Sequence, residues 1–143
     1  VRVGIRSATV HHHFPTKPAL AEAMLRDYRA RFMAGLGPAG EGGAPLRLMM
    51  AFRAALAEEG AMCLAGLFAA EADALPDGAA AEVGAFFGEL AAWTAEAIGE
   101  TAVPPARAET LVAGLEGALL AARAVGDVQM FDRIAGRLLA DHR

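Results

Sequence analysis

Apolar residues recur every three or four positions along nearly the whole chain, and no alternating run reaches strand length. The pattern therefore predicts helices throughout. Residues 7–14 form a short helical candidate that Phe14-Pro15 should end, because proline disfavours helix in the residue before it. Thr16 offers an N-cap for the next helix, with Pro18 tolerated in its first turn. That helix should run to about Leu36 and bury Leu20, Met24, Tyr28 and Phe32 at four-residue spacing. The Gly/Pro-rich stretch GPAGEGGAP, 37–45, predicts a loop and a boundary. Helices are expected over 46–59 and 61–75, then a break at Leu75-Pro76 with Asp77 as N-cap. A long helix to about Gly99 should place Val83, Phe86, Phe87, Leu90, Trp93 and Ile98 inward. TAVPPA, 101–106, breaks the chain again before helices over 105–125 and 127–140. The expected architecture is all-α, with a small head (1–36) on a helical bundle (46–143).

The chain has 143 residues, enough for a sizeable core, and 55% are hydrophobic. Charged, Gly or Pro residues interrupt every apolar run before it reaches membrane-spanning length. No apolar stretch follows Arg2 and Arg6 as a secretion signal would require. A single cysteine, Cys63, excludes an internal disulfide framework and suits the cytoplasm. The net charge of −4 hides an asymmetry: residues 1–31 carry six basic and two acidic groups, whereas the rest carries seven and fifteen. A basic head on an acidic body points to a polyanion at the head only, although solvated surface would give the same count.

Three consecutive histidines, 11–13, raise the question of a metal site. Adjacent helical residues point about 100° apart, so the three side chains fan around a helix and cannot chelate one ion. His142, the only other histidine, lies at the far end. Nothing in the chain reads as a cofactor motif. The surroundings suit nucleic acid better. Ser7, Thr9, His11 and His12 can donate to phosphates or base edges, while Val10 and Phe14, four apart, anchor the opposite face. Lys17 sits in the first turn of the next helix, where its ammonium and free N–H groups can address a phosphate. This is the chemistry of a helix-turn-helix recognition element.

The stretch VGIRSATVHHHFPTKPAL resembles the end of the DNA-binding domain of TetR-family repressors, with Gly4, Ile5, Thr9, Val10, His12, Phe14, Thr16, Lys17 and Leu20 in matching positions. The resemblance implies DNA roles for Thr9, His11, His12 and Lys17, and places Arg6 and Ser7 where specificity-setting residues occur. His11 departs from the usual tyrosine, and Pro18 from the usual glutamate. The resemblance also implies a first helix and most of a second ahead of Gly4, expected in a longer parent chain. GAMCLAGLFAAEADALP, FFGELAAWTAEAI and LEGALLAARAVGDVQMF resemble TetR-type regulatory domains in order and spacing.

What the resemblance implies for the body is an apolar effector pocket and a homodimer. Candidate pocket residues are Met49, Phe52, Met62, Cys63, Leu67, Phe68, Phe86 and Trp93, any of which could equally be plain core. Few charges fall on inward faces, so the effector should be apolar or aromatic. Cys63 reads either as a small buried hydrophobe or as a thiol open to reactive effectors; no basic neighbour in sequence would lower its pKa. Leu111, Leu115, Leu119 and Ala122 make one stripe, with Gly114, Ala118 and Ala121 allowing close approach. Phe131, Ile134 and Leu138 make a second. Paired across a two-fold axis, the two helices would give a four-helix dimer interface; packing within one chain would use the same stripes. No catalytic constellation is present: there is no Ser/His/Asp set and no Gly-rich phosphate loop. Two functions stand at this point. One is a dimeric, ligand-responsive repressor that leaves double-stranded operator DNA on binding its effector. The other is a helical small-molecule or protein-binding module without DNA function.

Overall fold

The computed structural model describes residues 14, 16–57 and 62–141. The stretch 7–14, with Arg6, Ser7, Thr9, His11 and His12, lies outside the described residues save for Phe14. Among the described residues the chain is helical, without strands: α1 (Lys17–Leu36), α2 (Ala44–Ala57), α3 (Leu64–Ala69), a single 3₁₀ turn (Ala72–Ala74), α4 (Asp77–Ala97), α5 (Ala106–Val125) and α6 (Val128–Ala140).

The ends of these helices follow from local chemistry. Thr16 caps α1, its Oγ1 accepting from the Ala19 N–H at 3.2 Å, and Gly37 ends it with φ 66°. Arg47 then binds the turn together, donating to the carbonyls of Leu36 (2.8 Å), Pro38 (2.6 Å) and Gly42 (3.0 Å). Trp93 Nε1 donates to the Gly37 carbonyl at 2.7 Å, tying this turn to α4. The 37–45 loop is thus a clamped turn joining two helices of one core. The N-terminus of α5 is capped from a distance: the Glu100 carboxylate accepts from the N–H groups of Arg107 (3.0 Å) and Ala108 (2.8 Å). Asp127 caps α6 as its position suggests, accepting from Gln129 N–H at 2.9 Å.

Two local expectations fail. Asp77 is the first residue of α4 rather than its cap; Pro76 holds the cap position and offers no side-chain acceptor. The helix expected over 61–75 shrinks to the six residues of α3 plus the 3₁₀ turn. Breaking there returns Leu75 to the wall, where it packs with Phe68 and Leu64 on Leu25, Ala79 and Val83.

The main core lies between α1, α2, α4, α5 and α6. Phe32 is its aromatic hub, with ring centroids 5.2 Å from Phe86, 5.8 Å from Phe52 and 5.8 Å from Tyr28. Leu111, Leu115, Leu119 and Phe131 are fully enclosed where α5 meets α6. On α1 the buried residues are Leu25 and Leu36, with Tyr28 and Phe32 packed beside them; Met24 is exposed. Strict four-residue spacing advances about 40° per step around a 3.6-residue helix, so such a stripe winds off the inward face. Outside the core, ion pairs fasten α1 along α4. Arg26 pairs with Glu22 and with Glu82 (2.9 Å), and Arg29 pairs with Glu82 (3.0 Å) and Glu89. Arg53 on α2 holds Asp132 on α6 with two bonds of 2.7 and 3.1 Å.

Candidate functional site

Of the residues assigned to DNA, only Lys17 is described. It opens α1, exposed to solvent, one position after the Thr16 cap. An ammonium there stands beside N–H groups that no helical carbonyl receives, the arrangement a phosphate suits.

The residues expected to line a pocket are placed as follows. Phe52, Cys63 and Phe86 are fully buried, with Met49 and Trp93 packed against the same core, so they fill space rather than enclose it. Met62 is half-buried just before α3. Leu67 is half exposed and faces a shallow cleft with Phe68, Glu71 and Leu75. Cys63 and Leu67 do not share a face, because Cys63 precedes α3 as its N-cap and helical spacing does not extend across a cap.

Apolar space lies instead on the other flank of α5. A cavity of about 480 Å³ between α4 and α5 is lined by Phe87, Ala91, Val112, Glu116 and Leu120, with Glu109 among its exposed lining. This is within the size range of small-molecule sites. Glu116 is its unusual member. The residue is 9% exposed, and neither carboxyl oxygen has a hydrogen-bond partner among the described residues. Burial pushes its carboxyl above the ordinary carboxylate range. The carboxyl lies against Gly66, where a Cβ would collide with Oε1. Beside it sits the Cys63 thiol, whose Sγ accepts from the Gly66 N–H at 3.4 Å. Burial, and then the nearness of Glu116, push that thiol up to about 12. Burial likewise raises the Tyr28 hydroxyl, which neighbours Cys63. A thiol held in this way is protonated at neutral pH, which favours the small buried hydrophobe over the reactive thiol.

The dimer expectation also changes. Leu111, Leu115, Leu119, Ala122 and Phe131 are buried within the chain's own core, with Ile134 and Leu138 packed against it. Gly114 does allow a close approach, but to Leu138 of the same chain. The face of α5 left outward carries Thr110, Ala113, Gly117, Leu120 and Ala124. Among the described residues no group of three His, Cys, Asp or Glu side chains is placed to hold a metal ion, and no helix is long and apolar enough to cross a membrane.

Sequence reasoning passed over Glu116. The available signal was a lone carboxylate in the apolar run LEGALL, four residues after Val112 and four before Leu120.

No protein-family model matches the chain, and no curated protein matches it in sequence. Its fold does match solved structures. A TetR-family transcriptional regulator from Agrobacterium tumefaciens superposes with a TM-score of 0.81 at 29% identity, over 96% of this chain and 80% of that one. A TetR transcriptional regulator from Legionella pneumophila gives 0.82 at 23% identity, with the same coverage. NemR of E. coli in its reduced form gives 0.71 at 21% identity, over 94% of this chain and 78% of that one. The class that the helical order and these matches define is the all-α transcriptional regulator. The chain has the fold of TetR-family transcriptional regulators.

Proposed function

We propose that the protein is a ligand-responsive repressor that binds double-stranded operator DNA as a homodimer and leaves it when a small effector with an apolar body enters the α4–α5 cavity. The observation that carries this reading is that cavity: an apolar space of drug-like size in the body of a regulator fold. The basic head supplies the DNA contacts, with Arg6, Ser7, Thr9, His11 and His12 on the recognition element and Lys17 on a phosphate. The outward face of α5 carries the dimer contact. Its small residues Ala113, Gly117 and Ala124 let a second copy approach closely, and Leu120 supplies apolar area. The cavity opens along the edge of that face, so the partner helix would form its outer wall.

Selection of bound sequences from a random duplex pool, followed by titration at several salt concentrations, tests the reading. Lys17→Ala should weaken selected and random duplexes by similar factors and flatten the salt slope by about one unit, because a phosphate carries no sequence information. Altered sequence preference with an unchanged slope would refute the Lys17 assignment. Failure of the pool to yield any preferred sequence would refute the repressor.

A further inference from the structure

Neither the DNA contacts nor the effector cavity makes use of the buried Glu116 carboxyl. Glu116 is nine-tenths buried, and its two oxygens are closed to solvent without a full hydrogen-bond partner among the described residues. The carboxyl lies in the seam between α5 and α3, where Gly66 leaves room for it and a Cβ at 66 would strike Oε1. Few groups face it. Cys63, the cap of α3, offers a thiol, which is a weak donor, and the Tyr28 hydroxyl of α1 stands beside that thiol. Phe87 and Ala91 of α4 do not titrate, and Glu109 of α5 stands at the exposed rim of the cavity. Among the described residues no basic group acts on the carboxyl. A neutral carboxyl is tolerated in such a place, whereas a carboxylate without water or a cation is not. The two helices at the seam are held very differently. Leu111, Leu115 and Leu119 anchor α5 in the core. The six residues of α3 are anchored by the buried Ala65, and Leu67 is half exposed. So short a helix has little stability of its own, so α3 is the side that yields.

We propose that Glu116 is a proton-operated latch on α3: while it keeps its proton α3 stays closed on α5, and once ionised it raises the fraction of molecules in which α3 stands open and water reaches the carboxylate. The closed form binds this proton more tightly than the open form, because burial raises the carboxyl above its ordinary 4.5 and water restores that value on opening. Closure is therefore strongest below 4.5 and weakens as pH rises to and through the closed-form value. The opening constant should climb about tenfold per pH unit across that interval and level off above it. Phe87 spans the seam. It packs in the same cluster as Leu64 and Phe68 and also lines the α4–α5 cavity, so lifting α3 frees one wall of the cavity. The latch thereby couples proton concentration to access to the interior, whatever ligand the cavity takes.

Amide hydrogen exchange across a pH series tests the latch, with each rate divided by that of an unstructured peptide so that base catalysis of exchange cancels. The reporters are the Leu67 and Ala70 N–H groups, which donate to the carbonyls of Cys63 (3.0 Å) and Gly66 (3.2 Å). Their protection should fall about tenfold per pH unit above 4.5 and then level off, while the enclosed Leu115 and Leu119 amides stay better protected throughout. Infrared difference spectra against Glu116→Gln should show the carbonyl stretch of a protonated acid, lost where the protection levels off. In Glu116→Gln, which carries no titrating proton, the protection of Leu67 and Ala70 should not vary with pH. If that variant does not fold, Glu116→Leu takes its place as the reference. The exposed Glu71 and Asp73 also titrate near α3, and a slope that they cause would persist in either variant and overturn the proposal. Three other results overturn it: protection of α3 that ignores pH in the native protein, α3 amides as well protected as Leu115 and Leu119 at every pH, or an ionised Glu116 under a closed α3, which would mean that the carboxylate has turned to water without moving the helix.

Discussion

Helix α5 has two flanks that have met opposite fates. One, carrying Leu111, Leu115 and Leu119, is fully enclosed against α6 and the aromatic core. The other, carrying Val112, Glu116 and Leu120, borders an open cavity, and its buried carboxyl, beside the Cys63 thiol, has no full hydrogen-bond partner among the described residues. Leu115 and Glu116 are consecutive residues, separated only by the 100° turn between neighbours on a helix. The first flank is spent on holding the chain together. The second keeps space and an unused hydrogen-bonding group, which is what a binding surface requires and a stable core avoids.

The sharpest way to break this contrast is to charge the finished flank. Leu119→Arg places a cation in a desolvated core without a partner and should cost on the order of 3–5 kcal/mol. Because Leu119 is buried within one chain, loss of helical circular dichroism should accompany any change in sedimentation. A folded, dissociated monomer would mean that this flank faces another copy after all.

The opposite result is expected on the other flank. Glu116→Leu removes an unpaired buried carboxyl and should stabilise the chain by about 1–2 kcal/mol in urea melts. The gain should depend on pH. Burial raises the folded-state pKa of Glu116 above its ordinary 4.5, so the folded form holds that proton more tightly than the unfolded chain. Its contribution is therefore complete below 4.5 and is lost as pH rises through the folded value. The advantage of Glu116→Leu should be larger at pH 8 than at pH 5; a gain that shrinks with rising pH would contradict a raised carboxyl.

Cys63 lies where the two regions meet, and a smaller effect is expected there. Cys63→Ser buries a hydroxyl and should cost about 1 kcal/mol. In the native protein a maleimide should label Cys63 slowly at neutral pH, and quickly once denaturant is added, since the thiol is buried and pushed up to about 12. Rapid native labelling would restore the reactive-thiol reading. The smallest change in stability is expected from Gly117→Arg. A side chain at Gly117 meets open space, so unfolding should shift by no more than about 0.5 kcal/mol. Sedimentation should nevertheless show a folded monomer, and a persistent dimer would move the interface off this face.

How much of this was legible in the sequence differs by element. The long helices follow from periodicity and punctuation: Thr16, the 37–45 loop and Asp127 mark ends that the structure confirms, and Gly37 and Gly126 are the residues that close α1 and α5. The short α3 was overrun because alanine and leucine favour helix whether or not tertiary contacts continue it. The capping of α5 by Glu100 was unreadable, since it depends on a loop folding back across seven residues. The apolar stripes of α5 and α6 were found correctly as stripes. Periodicity reports that a face is buried, not whether its partner belongs to the same chain or another. The cavity was missed for a related reason. The aromatic and methionine residues that drew attention, Phe52, Phe86 and Met49, are large enough to fill space, whereas the cavity is bordered largely by small residues such as Ala91, Ala113 and Gly117.

Gly66 and Glu116 stand fifty positions apart in sequence, yet the buried placement of the Glu116 carboxyl depends on the missing side chain at 66. A methyl group at 66 would occupy the place of the Glu116 carboxyl, and a glutamate at 116 needs that place empty. The contact predicts that, among relatives of this chain, a side chain at 66 goes with a change at 116 or with a carboxyl turned elsewhere. Lineages that keep the acid should keep the glycine, and lineages that have lost the acid are free to gain a side chain at 66. A side chain arriving at 66 while Glu116 remains would displace the buried carboxyl, so loss of the acid first is the easier order.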